Sequence, residues 1–371
     1  MNHGTTRYVG LDVHKATITV AICEAAQPPT VFGTIANDPT AIGKLVKQLG
    51  RAHQLRLAYE AGATGYALYR QLHALGTACD VVAPALIPRP SGPRVKTDRR
   101  DALQLARLLR SGDLTPVWVP SPAQALRDLV RARYDAKADL LRAKNRLTKF
   151  LLRQGLTPPP GTRPWRARFE QWLTHLTFEH GPAQVVFADY RTAVRLEQDR
   201  VRHLEAALGR SALDAPQAGL IAALQALRGI GLLSAVTIVA EAGDFRRFAR
   251  ARGFMGFTGL TSSEHSSGPT QRRGGITRAG NAYLRHVLVQ AAHNARHVPH
   301  RAAALQQRQA GLPIDLVDLA WRAQHRLHRR YLHLGPARSA ESRGGGGART
   351  RRLRLGGRPA DATGATRLNA R

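Results

Sequence analysis

The sequence predicts an N-terminal α/β domain followed by a mainly helical region. Residues 7–115 alternate short β-rich runs with stretches of helical periodicity, which is the pattern of an α/β domain. Residues 121–155 form one long helical pattern, in which apolar residues recur at steps of three, four or seven. The chain has 371 residues, of which 43% are hydrophobic, so it is long enough and apolar enough for two or three domains with real cores.

The first domain is predicted to span residues 1–118 and to begin with three antiparallel strands. Its five predicted strands are residues 8–12, 17–22, 30–35, 56–59 and 79–83. Asp38 and Thr97 are predicted to begin helices, because Asp and Thr are frequent N-caps. Three antiparallel strands followed by strand–helix alternation is the order of a ribonuclease-H-like domain.

Two long helical patterns are predicted to form an antiparallel coiled-coil arm over residues 119–215. The first pattern carries Leu126, Leu129, Ala136, Leu140, Ala143, Leu147 and Leu151, and the second carries Val194, Val201, Leu204 and Leu208. A proline-rich break at residues 157–164 ends the first. The arm is either a dimer contact or an internal brace, and the sequence is consistent with both.

A mainly helical third domain is predicted over residues 216–334. Residues 224–236 are typical of two helices joined by a Gly-x-Gly turn, which is either a helix–hairpin–helix element that holds a DNA phosphate or an ordinary helical hairpin. Residues 253–280 are predicted to be loop-rich, and residues 284–295 and 315–332 to be helical. Residues 335–371 contain nine arginines, two acidic residues and no apolar period, which predicts a disordered Arg/Gly-rich tail.

The charge balance indicates a polyanionic partner. Lys and Arg total 56 against 25 Asp and Glu, a formal net charge of +31, and nucleic acid is the obvious polyanion. The excess is spread along the chain, which disfavours a membrane-surface helix. We expect a cytoplasmic protein, because the N-terminus has no signal-peptide pattern and no apolar run reaches the length of a membrane span. Two cysteines are too few for a disulfide framework.

Four acidic residues are candidates for a metal site in the first domain. Asp12 lies in the first predicted strand, Glu60 follows the fourth, and Asp98 and Asp101 lie three apart at the start of a helix. Four carboxylates in one place repel each other unless hard cations neutralise them, and two Mg²⁺ ions serve this purpose in phosphodiester cleavage. Asp98 and Asp101 could instead interact only with the helix dipole and with neighbouring arginines.

The motifs of both halves resemble one family. GLDVHK at 10–15, YEAG at 59–62 and KTDRRDA at 96–102 are similar to those of the DEDD insertion-sequence transposases, whose catalytic domain resembles the RuvC Holliday-junction resolvase. LRGIG at 227–231, EAGDF at 241–245, GLTSSEHSSG at 259–268 and RRGGITRAGN at 272–281 resemble the C-terminal transposase domain of that family. The resemblance runs from about residue 7 to about residue 334.

This resemblance implies a mechanism and its participants. The family's members excise and insert a mobile element as homo-oligomers, and a non-coding bridge RNA pairs with donor and target DNA. By resemblance, Asp12, Glu60, Asp98 and Asp101 bind Mg²⁺ (or Mn²⁺), and a serine attacks the phosphodiester to form a 5′-phosphoserine link. Ser266 or Ser267 would be that serine, with Ser266 preferred. Alternatively, the loop is a Ser-Gly turn with phosphate-binding arginines, and so only a DNA clamp.

Nine further residues in or near these motifs are predicted to contact nucleic acid. They are Lys15, Arg228, Gly229, Gly231, Arg272, Arg273, Arg278, Asn281 and Arg285.

The chain departs from the family pattern in three places, which leaves two other functions open. Pro269-Thr270 and Ser262 replace the usual residues of the serine loop, and the Arg/Gly-rich tail replaces an apolar helical segment. The abrupt tail predicts a reading-frame shift that would affect the activity of this copy. The alternatives are a non-catalytic nucleic-acid-binding remnant and a resolvase-like nuclease that uses activated water.

Overall fold

The computed structural model describes residues 6–24, 27–88, 97–119, 126–268 and 270–334. The chain divides into two compact units, Met1–Ala123 and Gln124–Arg371. The predicted disordered tail, residues 335–371, lies outside the described residues.

The first unit is built on a five-stranded mixed sheet. Its strands are β1 (Arg7–Val13), β2 (Thr17–Cys23), β3 (Thr30–Ala36), β4 (Leu55–Glu60) and β5 (Ala78–Val82). Their order in the sheet is β3-β2-β1-β4-β5. β2 is antiparallel to β1 and β3, whereas β4 is parallel to β1 and β5. This mixed α/β sheet confirms the coarse prediction and is compatible with a ribonuclease-H-like fold.

Three helices complete the first unit: α1 (Pro39–Leu49), α2 (Ala67–Ala74) and α3 (Asp98–Ser111). The two predicted N-caps are confirmed. The Ala41 amide donates to Asp38 Oδ1 over 2.8 Å, and the Arg100 amide donates to Thr97 Oγ1 over 3.4 Å. α1 and α2 bury their apolar faces with the sheet in one core, which includes Tyr59.

The α3 helix lies against β1 with almost no space between the two backbones. A Cβ built on Gly10 of β1 would lie 2.1 Å from the Ala102 carbonyl oxygen and 2.5 Å from the Ala106 amide nitrogen. Only glycine permits this approach. Because side chains alternate along a strand, Asp12 lies on the same face of β1 as Gly10, the face that α3 covers.

The second unit is mainly helical, as predicted. Its helices are α4 (Leu126–Arg153), α5 (Ala167–Thr174), α6 (Gly181–Asp214), α7 (Ala218–Gln225), α8 (Leu232–Ala242), α9 (Ala251–Thr258), α10 (Ala282–Ala292), α11 (Ala303–Gln309) and α12 (Ile314–Leu334). A two-stranded sheet, β6 (Ser262–Glu264) with β7 (Arg273–Ile276), lies between α9 and α10. Among the described residues, every helix is too short or too polar to cross a membrane.

The long helices α4 and α6 pack against each other in opposite directions. Arg133 contacts Glu205, whereas Asp139, further along α4, contacts Arg200, which comes earlier in α6. Leu147 of α4 and other apolar residues of both helices form a shared core with an aromatic cluster at one end. Supercoiling of this pair, and its use as an arm, stay predictions.

The prediction of a loop-rich segment at residues 253–280 is wrong for two parts of that segment. Residues 251–258 form α9, and β6 and β7 form a hairpin. Glycines within these stretches lower the helix and strand propensities, so propensity alone predicts neither element. Tertiary contacts stabilise α9, since Phe254 and Phe257 pack against the core of the second unit. The short helix α5 in the connector between α4 and α6 was likewise not predicted.

The Gly10 contact yields a stability prediction. Gly10→Ala forces a methyl group into the backbone of α3, so we expect the free energy of unfolding to fall by about 1–3 kcal/mol. Gly43→Ala is the matched control, because a Cβ at Gly43 in α1 meets no atom within 4 Å. Alanine is the better helix former, so the control is expected to gain about 0.5–1 kcal/mol. Urea unfolding followed by circular dichroism measures both. Equal stabilities of the two variants would contradict the backbone contact.

Candidate metal centre and serine hairpin

Three side chains of the first unit meet at the N-terminal end of α3. His14 Nε2 lies 3.3 Å from Asp12 Oδ2 and 3.4 Å from Asp98 Oδ2. One ligand atom from each residue lies within 4.8 Å of the other two. Two carboxylates and an imidazole at these distances form a group that one divalent cation can contact.

The group is positioned by the end of β1, the turn that follows it and the start of α3. His14 lies in the turn between β1 and β2, where its amide donates to the Thr17 carbonyl over 2.9 Å. The side-chain amide of Asn37 donates to the His14 carbonyl over 2.8 Å. These bonds hold the backbone at His14, so its ring reaches over Asp12 towards the first residue of α3.

The surroundings of Asp12 disfavour the charged form of its carboxyl group. Burial raises the pKa of the Asp12 carboxyl; His14 opposes that rise, and Asp98 and Asp101 add to it. Asp12 Oδ2 is buried and, within the described part of the chain, makes no hydrogen bond of acceptable geometry. A buried carboxylate oxygen that lacks a well-formed hydrogen bond and lies close to a second carboxylate fits a bound cation. Carboxylate oxygens suit Mg²⁺ and Mn²⁺, and imidazole suits Mn²⁺ better than Mg²⁺.

The other two predicted acids lie near the group without belonging to it. Leu11 pairs with Tyr59 in the parallel β1–β4 ladder, so Glu60 comes next in register to Asp12 and on the same face of the sheet. Asp101 lies one turn after Asp98 in α3 and raises the pKa of Asp12 through charge repulsion. The structure therefore brings Asp12 and Asp98 together, and the assignment of Glu60 and Asp101 as ligands stays a prediction.

His14 is a candidate ligand that the sequence reasoning missed. A signal was available, because Asp12 and His14 are two residues apart and side chains at that spacing along a strand point to the same face.

The predicted nucleophilic serines lie on the hairpin formed by β6 and β7. Ser262 pairs with Ile276 and Glu264 with Arg273. Beyond the strands, Ser267 and Thr270 exchange backbone hydrogen bonds of 3.2 Å in both directions, and Gly268 adopts a φ of +56°. The hairpin thus exposes Ser266 and Ser267 near its tip.

The two serines differ in their hydrogen bonds. Ser266 Oγ donates to Glu264 Oε1 over 2.8 Å and accepts from the Arg272 amide over 3.3 Å. Arg273 Nε lies 3.7 Å from Glu264 Oε2, on the other carboxylate oxygen. Ser267 is held through its backbone. A hydroxyl with a carboxylate acceptor is therefore found at Ser266, the serine preferred from the family resemblance. Glu264 lies in the serine loop of the sequence but was not among the predicted site residues.

The helices that flank the hairpin are anchored by two residues that were predicted to contact nucleic acid. Asn281 is the N-cap of α10: its Oδ1 accepts from the Leu284 amide over 2.9 Å, and its Nδ2 donates to Glu241 Oε2 over 2.7 Å. Arg285 donates to the Thr258 carbonyl over 2.9 Å. Both side chains thus have intramolecular partners, which link the start of α10 to α8 and α10 to α9.

Glu241 is the buried centre of this anchor. It is 1% exposed, and its carboxylate lies 2.8 Å from Arg131 Nε and 3.3 Å from Arg127 Nε, both on α4. Burial alone raises the pKa of Glu241, but the Arg131 and Asn281 hydrogen bonds and the Arg127 charge outweigh it and lower the pKa below its usual value. Glu241 thus joins α4, α8 and α10.

The remaining predicted contacts divide into a structural and an exposed set. Gly229 has a φ of +88°, and a Cβ there would lie 2.9 Å from the Ala291 carbonyl oxygen, so this glycine serves the α7–α8 turn. Gly231 is the N-cap of α8, and Arg228 donates to the Val298 carbonyl over 2.7 Å. The exposed set is Lys15, Arg272, Arg273 and Arg278.

A basic cavity of about 440 Å³ lies beside the α7–α8 turn. It is lined by Arg228, Gly229, Gly231, Asn294, His300, Ala302, Ala304, Leu305 and Arg308. The lining holds two arginines and a histidine and no acidic residue, so it suits an anion better than a cation.

Comparison with known proteins gives the same family for both halves of the chain. A DEDD transposase model of the IS110 group matches residues 9–154. A model described as "Transposase IS116/IS110/IS902 family" matches residues 221–307. The first match covers the candidate metal centre, and the second covers the serine hairpin.

Individual relatives extend the match over most of the chain. The chain is 39% identical over 328 residues to the protein y4qE of Sinorhizobium fredii, which covers 87% of this chain and 80% of that protein. It is 32% identical over 338 residues to the transposase for insertion sequence element IS1533 of Leptospira borgpetersenii, covering 89% of this chain and 97% of the relative. It is 30% identical over 250 residues to a family 20 transposase of Pseudomonas aeruginosa, covering 65% and 70%.

The Glu241 anchor yields the second prediction. Glu241→Gln leaves two partly buried arginines without their carboxylate, and we expect the free energy of unfolding to fall by about 2–4 kcal/mol. Glu205→Gln is the matched control, because its ion pair with Arg133 is partly exposed and is worth at most about 1 kcal/mol.

The pH dependence gives an independent check on the same carboxylate. The pKa of Glu241 is lower in the folded than in the unfolded protein. The Glu241 carboxylate therefore contributes to the free energy of unfolding at a pH above 4.5, its ordinary pKa, and this contribution is lost as the pH falls below that value. Urea unfolding of wild type and Glu241→Gln at pH 7 and at about pH 3.5 measures the difference. A stability gap that does not narrow at the lower pH would contradict the ion-pair account.

Proposed function

The chain belongs to the IS116/IS110/IS902 family of transposases, and from this premise we propose that it cuts and rejoins DNA through a metal-assisted, covalent serine mechanism. Membership of the family makes it a DNA-recombining enzyme with DNA as a partner. The proposal adds which side chains act. The observation that carries it is the group of Asp12, His14 and Asp98 at the start of α3.

The metal centre comprises the N-terminal acids. Asp12 and Asp98 hold the divalent cation, His14 adds a nitrogen ligand, and Glu60 and Asp101 complete the site from the adjacent strand and the next helical turn. A bound Mg²⁺ or Mn²⁺ supplies Lewis-acid stabilisation of the charge that develops on the phosphodiester oxygens. The carboxylates orient the ion, and Asp12 is partly buried at the end of β1.

Ser266 is the nucleophile in this proposal. Its hydroxyl is exposed at the tip of the hairpin and is oriented by two hydrogen bonds, whereas Ser267 pairs through its backbone with Thr270. A single orientation of the attacking oxygen favours reaction, because productive attack on phosphorus requires a narrow approach. Ser267 then shapes the turn.

Exposed cations beside both sites hold the nucleic acid. Arg272 and Arg273 lie on the hairpin strand opposite Ser266, Arg278 lies at the base of the hairpin, and Lys15 follows the metal ligands on the β1–β2 turn. With a formal net charge of +31 these residues lie in a favourable field for phosphate. In this proposal they contact donor and target DNA and a bridge RNA that pairs with both.

In this proposal each predicted domain has its own role. Residues 1–118 form the RuvC-like catalytic domain, residues 119–215 a coiled-coil arm, and residues 216–334 the transposase domain with the serine and a helix–hairpin–helix-like turn. The acids belong to the first unit and the serine to the second. Because the proposed reaction needs the acids and the serine at one phosphodiester, they must be brought together there. A homo-oligomer, in which one subunit's serine acts with another subunit's acids, provides that assembly.

Two rival functions make different predictions. A resolvase-like nuclease cuts DNA with activated water and forms no protein–DNA link. A non-catalytic remnant binds DNA but neither cuts it nor forms a protein–DNA link. A protease-sensitive protein–DNA adduct, trapped in Mg²⁺ or Mn²⁺ by denaturation, separates the transposase from both.

The third prediction concerns the metal ligands. Asp12→Asn and Asp98→Asn should each lower cleavage by more than about 100-fold, because even outer-shell partners of metal ligands are worth about 10–100-fold. DNA binding should be retained or tightened, since each change removes a negative charge. Asp80→Asn is the control, because Asp80 pairs with Arg56 on the sheet, outside the metal group. Wild-type cleavage by Asp12→Asn would exclude the site.

The fourth prediction separates the two serines. Ser266→Ala should abolish the covalent adduct, whereas Ser267→Ala should retain most of it, because the Ser267 contribution is through its backbone. Adducts are resolved by denaturing electrophoresis of end-labelled DNA. Loss only in Ser267→Ala would reverse the assignment. Cleavage without an adduct in wild type would instead indicate activated water.

A further inference from the structure

We propose that Glu264 is the general base that accepts the proton of Ser266 during strand cleavage and returns it during rejoining. This inference rests on the proposed serine mechanism and adds a catalytic residue to it. A serine hydroxyl is a weak nucleophile at its ordinary pKa, so a mechanism through Ser266 requires a nearby proton acceptor.

The geometry of the hydroxyl supports this role. Ser266 Oγ lies 2.8 Å from Glu264 Oε1, within the range for direct proton transfer. The Arg272 amide donates to the same oxygen over 3.3 Å. One lone pair of Oγ is thus engaged and its proton points at the carboxylate, which leaves the second lone pair for attack on phosphorus.

The hairpin positions Glu264 to act in this way. Glu264 is the last residue of β6 and pairs with Arg273 of β7, and Ser266 follows two residues later. Arg273 Nε lies 3.7 Å from Oε2, whereas Ser266 uses Oε1. The two oxygens therefore have different partners, and the arginine that orients the carboxylate leaves Oε1 to accept the serine proton.

Alternative bases on the hairpin are less well placed. Among the described residues, Glu264 is the carboxylate that hydrogen-bonds Ser266 Oγ. The neighbouring His265 is held through its backbone, where its amide donates to the Arg272 carbonyl over 2.9 Å.

The step balances as written. As the Oγ–P bond forms and the P–O3′ bond breaks, the Oγ proton moves to Glu264 Oε1, and the departing 3′ oxygen takes a proton from solvent to become a hydroxyl. On rejoining, a 3′-hydroxyl attacks phosphorus and loses its proton to solvent, the Oγ–P bond breaks, and Glu264 returns its proton to Oγ.

The first test replaces the carboxylate by an amide of the same shape. In Glu264→Gln we expect the rate of adduct formation at pH 7 to fall by about 100-fold, the usual worth of a general base. The residual rate should rise with pH up to about pH 9, because hydroxide then replaces the missing base. Glu264→Asp should recover part of the rate. An equal rate in wild type and Glu264→Gln from pH 6 to pH 9 would overturn the proposal.

The second test changes the nucleophile. A cysteine thiol ionises near pH 8.5 without a base, so in a Ser266→Cys background the Glu264→Gln penalty at pH 8.5 should shrink to less than about 10-fold. A penalty that stays near 100-fold in that background would assign Glu264 a structural role and overturn the base. If Ser266→Cys forms no adduct, the pH profile of Glu264→Gln alone decides.

These outcomes separate failure of the base from failure of the mechanism. Wild-type cleavage without an adduct, or an undiminished adduct in Ser266→Ala, would contradict the serine mechanism itself. A wild-type adduct that depends on Ser266 and forms equally fast in Glu264→Gln would contradict only the role of Glu264.

Discussion

The backbone of β1 at Gly10 touches the backbone of α3, and the candidate metal centre depends on this contact. Asp12 follows Gly10 on the same face of the strand, and Asp98 begins the helix that covers that face. A side chain at position 10 would move the helix away and with it one of the two carboxylates. Sheet register places Glu60 beside Asp12 by the same logic, since Leu11 and Tyr59 are paired neighbours.

In the second unit, the comparable constraint is electrostatic. Its serine hairpin is a small, exposed two-stranded sheet, and such a hairpin has little stability of its own. A single buried carboxylate, Glu241, links the cap of α10, the helix that follows the hairpin, to two arginines of α4. In a chain with 56 basic and 25 acidic residues, a buried carboxylate with two arginine partners and one amide partner is strongly held in its charged form, which suits Glu241 as an anchor.

Much of the first unit could be predicted, because its signals are local. Asp38 and Thr97 cap their helices as expected, and the alternating runs of the first 83 residues form the strands of the sheet. The hairpin of β6 and β7 and the helix α9 escaped prediction, since glycines at positions such as 253, 256, 274 and 275 remove the propensity signal. Asn281 and Arg285 were predicted to bind nucleic acid; the structure uses their side chains inside the unit.

The sequence by itself determined the class of protein, the helix caps, the order of the acids along the chain and the presence of two candidate serines. Composition, periodicity and motif spacing carry that information, because each depends on residues close together in the chain. Only the tertiary structure decided that His14 joins Asp12 and Asp98, and that Glu264 accepts from Ser266 while Ser267 pairs through its backbone. Those choices depend on how a turn folds over a helix terminus and on the pairing register of a hairpin, where a shift of one residue would place each side chain on the opposite face.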